Sequence, residues 1–461
     1  MGKPRTVYAC TECGAQQPRW LGRCPECGSW STLVEEQAAG EPVSPRKLLS
    51  GVAGAKPLRL AEIDPDASPR LPSGIPELDR VLGGGLVPGS VVLLAGEPGV
   101  GKSTLALQLA AALPDGGRVL YVAGEESPEQ IRLRADRLPD FPQQLVVLPE
   151  TCVDALAAPW REIDPSVVLV DSIQTMHTER VESAPGSVAQ VRECAALLAS
   201  AARAQGAALI LVGHVTKDGA VAGPRVLEHL VDVVLQFEGD RGHAFRLLRA
   251  HKNRFGSTRE VGVFRMADEG LVTVENPSEL FLAERRGGAP GSCIVPLVEG
   301  TRPMLVEIQA LVAPAGYGTA RRTCIGIDDG RLALLLAVLD RRAGVEVATR
   351  DVYVNAVGGV RVAEPGADLA LALALASSRL DVPLPEDVAA CGEIGLGGEI
   401  RRVPRTDLRV EEAVRLGFRR VLLPEGAPEA RRPAAGASVL AVRDLAAAVA
   451  WLRGSAASTS A

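Results

Sequence analysis

An α/β fold, with a parallel β-sheet covered by helices, is predicted for the central part of this 461-residue chain, residues 58–276. Two observations predict it. Short apolar strands alternate with helical stretches along the region, as they do where helices connect parallel strands. In addition, an apolar strand runs into a glycine-rich loop and a helical run leaves it, which is the order of a phosphate-binding unit. Mixed α and β patterning after residue 277 indicates an α+β domain.

The composition is that of a globular chain of two or three domains, with 47% hydrophobic and 23% charged residues. Residues 34–57 lack a hydrophobic period and are predicted to be a linker. The segments are therefore a four-cysteine module (1–33), the linker (34–57), the α/β domain (58–276), the α+β domain (277–455) and a disordered tail (456–461). Six strands are predicted in the α/β domain, at 91–95, 119–123, 167–170, 208–212, 231–237 and 245–250.

The N-terminal module carries the pattern C-x₂-C-x₁₀-C-x₂-C, formed by Cys10, Cys13, Cys24 and Cys27. Each pair aims two thiolates at one point, and two pairs supply the tetrahedral set that suits Zn²⁺. About thirty residues bury too little apolar surface to fold alone, so the metal is expected to provide most of the stability. Two disulfides or a redox-active pair are the alternatives, and a cytosolic location disfavours the first. The other five cysteines are expected to be buried small apolar residues.

The glycine-rich loop fits the phosphate-loop pattern G-x-x-x-x-G-K-[S/T] at every fixed position. Its backbone N–H groups are expected to face phosphate oxygens, Lys102 to reach the β- and γ-phosphates of ATP, and the Ser103 hydroxyl to ligate Mg²⁺. Asp171 ends the apolar strand 167–170 and is the predicted second Mg²⁺ ligand. The ATP-binding residues are Gly96, Glu97, Pro98, Gly99, Val100, Gly101, Lys102, Ser103 and Thr104.

The segment that precedes this loop contains Leu78, Asp79 and the glycines 83–85, and it resembles the corresponding segment of the RecA/KaiC branch of phosphate-loop ATPases. The resemblance implies a RecA-like core that assembles into rings or filaments. It also implies a water-activating glutamate after strand 119–123, where Glu125 and Glu126 both fit and Glu126 is slightly favoured. The polar residue after strand 208–212, His214, is the implied γ-phosphate sensor; the alternative for it is a structural histidine.

Lysine is rare in this chain: there are six among the 50 Lys and Arg residues, and only Lys102, Lys217 and Lys252 follow residue 56. A compact ammonium is therefore expected to matter at these three positions. Lys252 and Arg254 lie two apart on an extended segment and are expected to point the same way, beyond their own subunit. They would reach a neighbour's γ-phosphate or DNA phosphate; the alternative is a solvated basic turn.

The segment formed by Lys252, Asn253, Arg254, Phe255 and Gly256 is the KNRFG signature of the bacterial RadA family, which the whole chain resembles. Residues 351–360 and those that follow look like the Lon-protease-like domain of that family. A Ser–Lys protease dyad is nevertheless absent: residues 364–368 contain no serine, and arginine stands in the lysine frame, 403–409. No lysine follows Lys252 and no histidine follows His251, so we expect no protease activity.

The resemblance implies a DNA-dependent ATPase that acts on single-stranded DNA and branched recombination intermediates during repair, of the helicase or branch-migration type. Its implied cofactors are ATP, Mg²⁺ and Zn²⁺, and its implied partners are RecA and further copies of itself in a hexamer. Segments 172–186 and 215–224 are expected to face the ring channel and contact DNA. The alternative is a KaiC-like ATP-binding regulator without a DNA role.

Whole-chain charge and hydropathy place limits on location. The net charge of −6 does not indicate a nucleic-acid binder, so any DNA contact is expected from local basic loops. No apolar run is long enough to span a membrane, and the N-terminus lacks the apolar core of a signal peptide. We therefore expect a cytoplasmic protein without membrane contact.

Overall fold

The computed structural model divides the chain into two compact units, Met1–Thr273 and Val274–Ala461. The division lies three residues before the expected start of the α+β domain. The residues described are 6–10, 16–26, 28–30, 32–37, 59, 69–113, 118–138, 145–214, 225–239, 245–283, 285, 287–316, 320–430, 436 and 438–459. Segment 215–224, which was expected to contact DNA, lies outside them, as do Cys13, Cys27 and Lys217.

The N-terminal module is a three-stranded antiparallel sheet in the order β2-β1-β3. Its strands are β1 (Thr6–Cys10), β2 (Gln16–Gln17) and β3 (Leu33–Gln37). The third strand crosses the expected start of the linker at residue 34, so that boundary is wrong by at least four residues. Residues 34–37 show no hydrophobic period, because a strand paired through its backbone needs none.

The rest of the first unit is built on a nine-stranded sheet in the order β12-β11-β10-β9-β4-β8-β7-β5-β6. Strands β9, β4, β8, β7, β5 and β6 run parallel, and β10 to β12 add an antiparallel edge. The strands are β4 (Val91–Gly96), β5 (Val119–Ala123), β6 (Val146–Leu148), β7 (Val167–Asp171), β8 (Ala208–His214), β9 (Val233–Glu238), β10 (Phe245–Asn253), β11 (Val261–Ala267) and β12 (Gly270–Thr273).

Helices cover both faces of this sheet, as predicted. Residues from successive positions of β4 fall into separate cores: Val92 and Leu94 pack in one, Val91 and Leu93 in the other. Strands buried on both faces read as continuous apolar runs, which is why the sequence pattern located them. The helices are α1 (Pro76–Leu82), α2 (Lys102–Ala112), α3 (Pro128–Ala135), α4 (Ala157–Ile163), α5 (Val188–Gln205) and α6 (Arg225–Glu228).

The longer helices begin and end at capping residues that the sequence supplies. Ser127 and Gln130 form a reciprocal capping box at the start of α3. Ser187 caps α5, and Gly206, at φ 71°, ends it in the left-handed conformation that glycine adopts without strain.

The second unit is α+β, with a seven-stranded mixed sheet in the order β15-β16-β14-β13-β17-β20-β21 and a separate β18–β19 ladder. The strands are β13 (Ser292–Glu299), β14 (Arg302–Ala313), β15 (Arg322–Ile325), β16 (Asp351–Ala356), β17 (Val388–Ala390), β18 (Glu393–Ile394), β19 (Ile400–Arg401), β20 (Arg420–Pro424) and β21 (Ser438–Val442). The helices are α7 (Pro277–Leu282), α8 (Asp329–Ala343), α9 (Asp368–Leu380), α10 (Thr406–Arg415) and α11 (Leu445–Thr459).

Helix α9 is the core of this unit. Every residue from Asp368 to Ser377 is buried, and the helix packs on β13 and β14 and against α8 and α11. At the end of the chain, the tail expected to be disordered from residue 456 is helical as far as Thr459. Alanine has the highest helix propensity, so the small residues there continue α11.

Candidate nucleotide site and its surroundings

The carboxyl ends of four parallel strands lie level with one another. Gly96 of β4 is in register with His214 of β8, and Asp171 of β7 is in register with Val212 of β8 and Ala123 of β5. Ligands of open α/β sheets bind at this edge. The register therefore brings together the ends of all the strands from which the sequence predicted ATP-site residues.

The phosphate loop connects β4 to α2 and depends on glycine at several positions. Gly99 and Gly101 have φ values of 81° and 114°, which disfavour other residues. Gly96 has no positive φ, but a Cβ there would lie 2.6 Å from the carbonyl oxygen of Phe237 on the neighbouring strand. The loop thus reaches its shape only with glycine at these places.

Lys102 is the first residue of α2 and is buried, with 3% of its surface exposed. Its ammonium donates to the carbonyl oxygens of Gly96 (2.8 Å) and Glu97 (2.9 Å) and lies 3.1 Å from His214 Nδ1. Burial lowers its pKa from 10.5 to about 8, although the charges of Asp171, Glu125 and Glu97 act in the opposite direction. Lys102 is thus a desolvated cation held by neutral acceptors.

Glu125 is joined to Lys102 through His214. His214 Nε2 lies 3.2 Å from Glu125 Oε1, and the Ser172 hydroxyl donates to the same oxygen. Because the ammonium donates to Nδ1, the imidazole carries its proton on Nε2 and donates it to Glu125. The hydrogen bond from His214 lowers the pKa of Glu125, assisted by that from Ser172 and opposed by burial. Glu125 is therefore held as a carboxylate.

Glu126, slightly favoured from the sequence, lies outside this cluster. Its Oε1 accepts a hydrogen bond from Arg134 of α3 and forms an ion pair with it. Glu125 and Glu126 follow directly from β5, and the sequence did not show that α3 would return an arginine to the second of them. Of the two glutamates, Glu125 is the one that contacts His214 and Ser172 at the carboxyl edge of the sheet.

Asp171 is 6% exposed, and its Oδ2 accepts a hydrogen bond of 2.6 Å from Tyr121. Burial and the neighbouring Asp171 raise the pKa of Tyr121 well above 10, so Tyr121 remains a donor. Carboxylate and hydroxyl oxygens are the ligands Mg²⁺ prefers, so Asp171 and Ser103 fit the predicted metal. Tyr121 and Ser172 were missed from the sequence; Tyr121 left a signal, as the one polar side chain in β5.

The KNRFG segment spans the end of β10 and the turn after it. Lys252 Nζ donates to the carbonyl oxygens of Glu228 and of Val231 (2.7 Å), and Arg254 pairs with Asp232 at 3.0 Å. Both cations thus turn towards residues 228–232 of their own chain. This corrects the expectation that both side chains reach beyond their subunit. The Arg254 side chain is 56% exposed and is therefore still accessible to a neighbouring subunit or to DNA.

Two features explain why the prediction failed at Lys252. A β-bulge between Ala250 and Lys252 shifts the register of β10 against β9, and the last carbonyls after α6 need donors. Asn253 acts similarly, since its Nδ2 donates to the carbonyl oxygens of Val81 and Leu82 at the end of α1. A compact ammonium with three donors suits the position of Lys252, as the rarity of lysine suggested.

Backbone contacts complete the attachment of the KNRFG segment to α1. Arg70 donates to the carbonyl oxygens of Phe255 and Leu82. A Cβ on Gly256 would lie 3.4 Å from the Cα of Gly83, so glycine permits close approach here. The segment therefore joins α1, which leads to the phosphate loop, to α6, which follows residues 215–224.

In the zinc module, Cys10 and Cys24 are buried at 0% and 1% exposure and pack with Leu33. The other two predicted ligands, Cys13 and Cys27, lie outside the described residues. The chemistry of two buried thiols fits the predicted Zn²⁺.

In the second unit, the two segments compared with a Ser–Lys dyad are joined by an ion pair. Arg409 Nη1 and Nη2 each lie 2.7 Å from an oxygen of Glu364, and Nη1 also donates to the carbonyl oxygen of Pro296. Burial lowers the pKa of Arg409, but the hydrogen bonds and charge of Glu364 outweigh it and raise the pKa overall. Arg405, the other arginine of this frame, donates to the carbonyl oxygen of Gly300.

Comparison with known proteins now decides the family. A protein named DNA repair protein RadA from Halalkalibacterium halodurans is 50% identical over 427 residues, which is 92% of this chain and 93% of that protein. Proteins of the same name from Bacillus subtilis and Pseudomonas aeruginosa are 47% and 49% identical and cover 97% and 96% of this chain, and 98% of their own lengths. The chain belongs to the RadA family of DNA repair proteins.

Two family models match parts of this RadA-family chain. An AAA domain model matches residues 55–220, and a rubredoxin metal-binding domain model matches residues 8–35. The family resemblance read from the motifs is thereby confirmed, as are the α/β ATPase core that binds ATP and the N-terminal zinc ribbon. Apolar patterning predicted none of the strands β6, β11 and β12, which lie towards the two edges of the nine-stranded sheet.

A solved KaiC-like protein from Pyrococcus horikoshii, PH0186, is 23% identical and covers 45% of this chain and 99% of its own, with a TM-score of 0.37. Within the part of the chain that the structure describes, no helix has the length and apolar character needed to cross a membrane.

Proposed function

We propose that this RadA-family ATPase is driven by DNA: it moves on single-stranded DNA and branched recombination intermediates during repair, as a homohexamer that works with RecA in the cytoplasm. One observation carries the dependence on DNA. His214 contacts both Lys102 and Glu125, and it is the last residue before segment 215–224, which was expected to contact DNA. A change in that segment on binding DNA would therefore move a residue that touches both sides of the ATP site.

We assign the roles in hydrolysis as follows. Residues 96–104 hold the phosphates of ATP, and Lys102 offers them its charge. Asp171 and Ser103 hold Mg²⁺, which would neutralise phosphate charge when bound. Glu125, kept ionised by its partners, orients and deprotonates the attacking water, and His214 transmits the state of the γ-phosphate.

The second predicted DNA segment, 172–186, is held by one buried glutamine. Gln190 of α5 accepts a hydrogen bond from the N–H of Thr178 and donates to the carbonyl oxygens of Thr178, Val181 and Ser183. A loop fixed in this way starts at Ser172, which donates to Glu125. This supports a link between the second DNA segment and the same carboxylate.

For the KNRFG segment we propose two separate roles. Lys252 and Asn253 support α6 and α1 within the chain, whereas Arg254 acts across the subunit interface or on DNA. The Arg254 side chain is 56% exposed and can reach an anion outside its own chain. Asp232 would then keep its hydrogen bond from the N–H of Val91 and its ion pair with Arg203. The second unit serves as a scaffold and not as a protease, since the buried Arg409–Glu364 pair occupies the two dyad frames.

The experiment that tests the proposal is ATP turnover by the full-length chain with and without single-stranded DNA. We expect DNA to raise turnover, and His214→Ala to remove this stimulation while leaving measurable basal turnover. An ATP turnover rate that does not change when single-stranded DNA is added would support the KaiC-like regulatory alternative instead.

The role of Arg254 is resolved by Arg254→Ala in the same assay. A contact with a neighbour's γ-phosphate predicts lost hydrolysis with ATP binding retained. A contact with DNA predicts retained basal hydrolysis and a salt dependence of DNA binding reduced by about 0.7 in slope. Wild-type behaviour in both respects would leave Arg254 as a solvated surface residue.

A further inference from the structure

We propose that the zinc ribbon carries a stacking platform for unpaired bases of single-stranded DNA, formed by Trp20 and Trp30 beside Gly22. The inference rests on the proposed action on single-stranded DNA and assigns to it a surface that the ATPase core does not supply. It is independent of the loops at the carboxyl edge of the nine-stranded sheet.

The two rings are exposed and share one location. Trp20 is 55% exposed and Trp30 72% exposed. A Cβ on Gly22 would lie 3.8 Å from Trp20 Cη2 and 3.9 Å from Trp30 Cζ3, so both rings flank the same point on the ribbon. Glycine at this point leaves the space between the rings open.

The ribbon does not need these rings for packing. Its core consists of Cys10, Cys24 and Leu33, with Tyr8 and Leu21 packed against it. By contrast, Trp160 in the first unit is buried at 2% exposure. Aromatic side chains dominate cores when they are used for stability, so two large exposed rings on the smallest module indicate a binding role.

Charge around the platform favours a polyanion. Arg19 and Arg23 are exposed, and residues 14–24 contain no acidic residue; Glu12 and Glu26 lie just outside this stretch. The guanidinium of Arg23 lies 5.8 Å from the centroid of the Trp30 ring, and its Nε donates to the carbonyl oxygen of Gly28 at 2.7 Å. Arg23 thereby holds the ring in place and brings positive charge beside it.

Exposed aromatic rings beside cations are the chemistry by which proteins bind single strands without sequence preference. Bases stack on the rings, and the cations follow the phosphates. Paired bases are already stacked within the duplex, so this platform would distinguish single strands from duplex. It would hold unpaired DNA through its bases, in addition to the phosphate contacts expected of the core.

The test compares two ligands of equal length and charge, oligothymidylate and the same strand with abasic sites, binding to the zinc-loaded full-length chain. We expect wild type to prefer the strand with bases. Trp20→Ala and Trp30→Ala should each weaken its binding about tenfold, because base stacking is lost, and should leave binding to the abasic strand unchanged. Trp20→Phe and Trp30→Phe should retain most of the preference.

Two controls keep the result interpretable. Zinc content shows that each variant has kept its ribbon, and Leu396→Ala removes an equally exposed apolar side chain, 68% exposed, from the second unit. Two outcomes would overturn the platform even if DNA still stimulates hydrolysis. One is that wild type binds both strands equally, and the other is that the alanine variants bind both strands as wild type does. Absence of both DNA binding and DNA stimulation would instead refute the proposed function. Variants that lose only binding to RecA would reassign the rings to a protein partner and also overturn the inference.

Discussion

Each of the two units has a buried cation on a helix, and the two cations have different partners. Lys102 contacts two carbonyl oxygens and a neutral imidazole, and its pKa is lowered to about 8 by burial. Arg409 makes a two-point contact with Glu364, and its pKa is raised. Both residues are almost fully buried, at 3% and 2% exposure.

The difference identifies which of the two is a ligand site. A buried charge is costly unless an opposite charge accompanies it. Within the described residues the Lys102 ammonium makes no direct contact with a carboxylate, and Asp171, Glu125 and Glu97 act on it only through their charge. Arg409, in contrast, contacts the carboxylate of Glu364 at two points. Burial alone therefore does not indicate function; the indicator is a desolvated cation held by neutral acceptors.

The largest effect is expected from Lys102→Ala. Removing the cation should lower ATP hydrolysis by about 1,000-fold, because the charge that forms on the phosphates in the transition state loses its partner. The fold should survive, since the side chain ends on a loop; circular dichroism checks this. Near-normal turnover would refute the phosphate-loop assignment.

Glu125→Gln should lower the rate of hydrolysis by about 100-fold, the ordinary contribution of a general base. The matched control is Glu126→Gln, which breaks only the ion pair with Arg134 and should leave turnover within about twofold of wild type. Single-turnover kinetics with bound ATP measure both. A larger loss in the Glu126 variant would return the role to that residue.

Arg409→Met tests the other side of the comparison. It leaves Glu364 without its partner in a partly buried site and should destabilise the second unit by about 3 kcal/mol. Hydrogen exchange of residues 364–380 in increasing urea reports this. Glu364→Gln combined with Arg409→Met should recover part of the loss, and Arg401→Met, at an exposed ion pair with Glu399, should cost less than about 1 kcal/mol. Equal effects at both pairs would mean that burial does not distinguish them.

The smallest expected effect is on pH. Below pH 8 free Lys102 is already protonated, so ATP binds without proton uptake at this group. Above pH 8 the free ammonium loses its proton, and binding the anionic phosphates must restore it; affinity should then fall by up to about tenfold per pH unit. Calorimetric titrations at pH 7 and pH 9 measure the fall, and Lys102→Arg, which cannot deprotonate, should abolish it. If ATP affinity fell equally with pH in the Lys102→Arg variant, the pH dependence would arise from a group other than Lys102.

Sequence reasoning succeeded where a single local property decided the outcome. The six predicted strands of the first unit were all found. Four of them, β4, β5, β7 and β8, are buried along almost their whole length and leave unbroken apolar runs, whereas β10 alternates between buried and half-buried residues. Sequence reasoning also placed Lys102, Asp171 and His214 at one edge, since parallel strands end together.

Sequence reasoning failed where a residue distant in the sequence determines which partner a side chain contacts. Arg134 draws Glu126 away from the cluster, and the carbonyls of Glu228 and Val231 draw Lys252 inward. Neither partner is implied by the local pattern. The pairing of Glu364 with Arg409 was likewise not visible in the sequence, although both dyad frames had been located, because the two residues lie 45 positions apart.

Helix α9 has a consequence for how the chain is made. It has no polar face, and its one buried charge, Asp368, is paired with Arg331. Three of its partners, α8 and the strands β13 and β14, precede it, but α11 follows it in the chain and begins only at Leu445. The nascent chain must therefore carry an apolar helix with one side uncovered until residues 445–459 have left the ribosome.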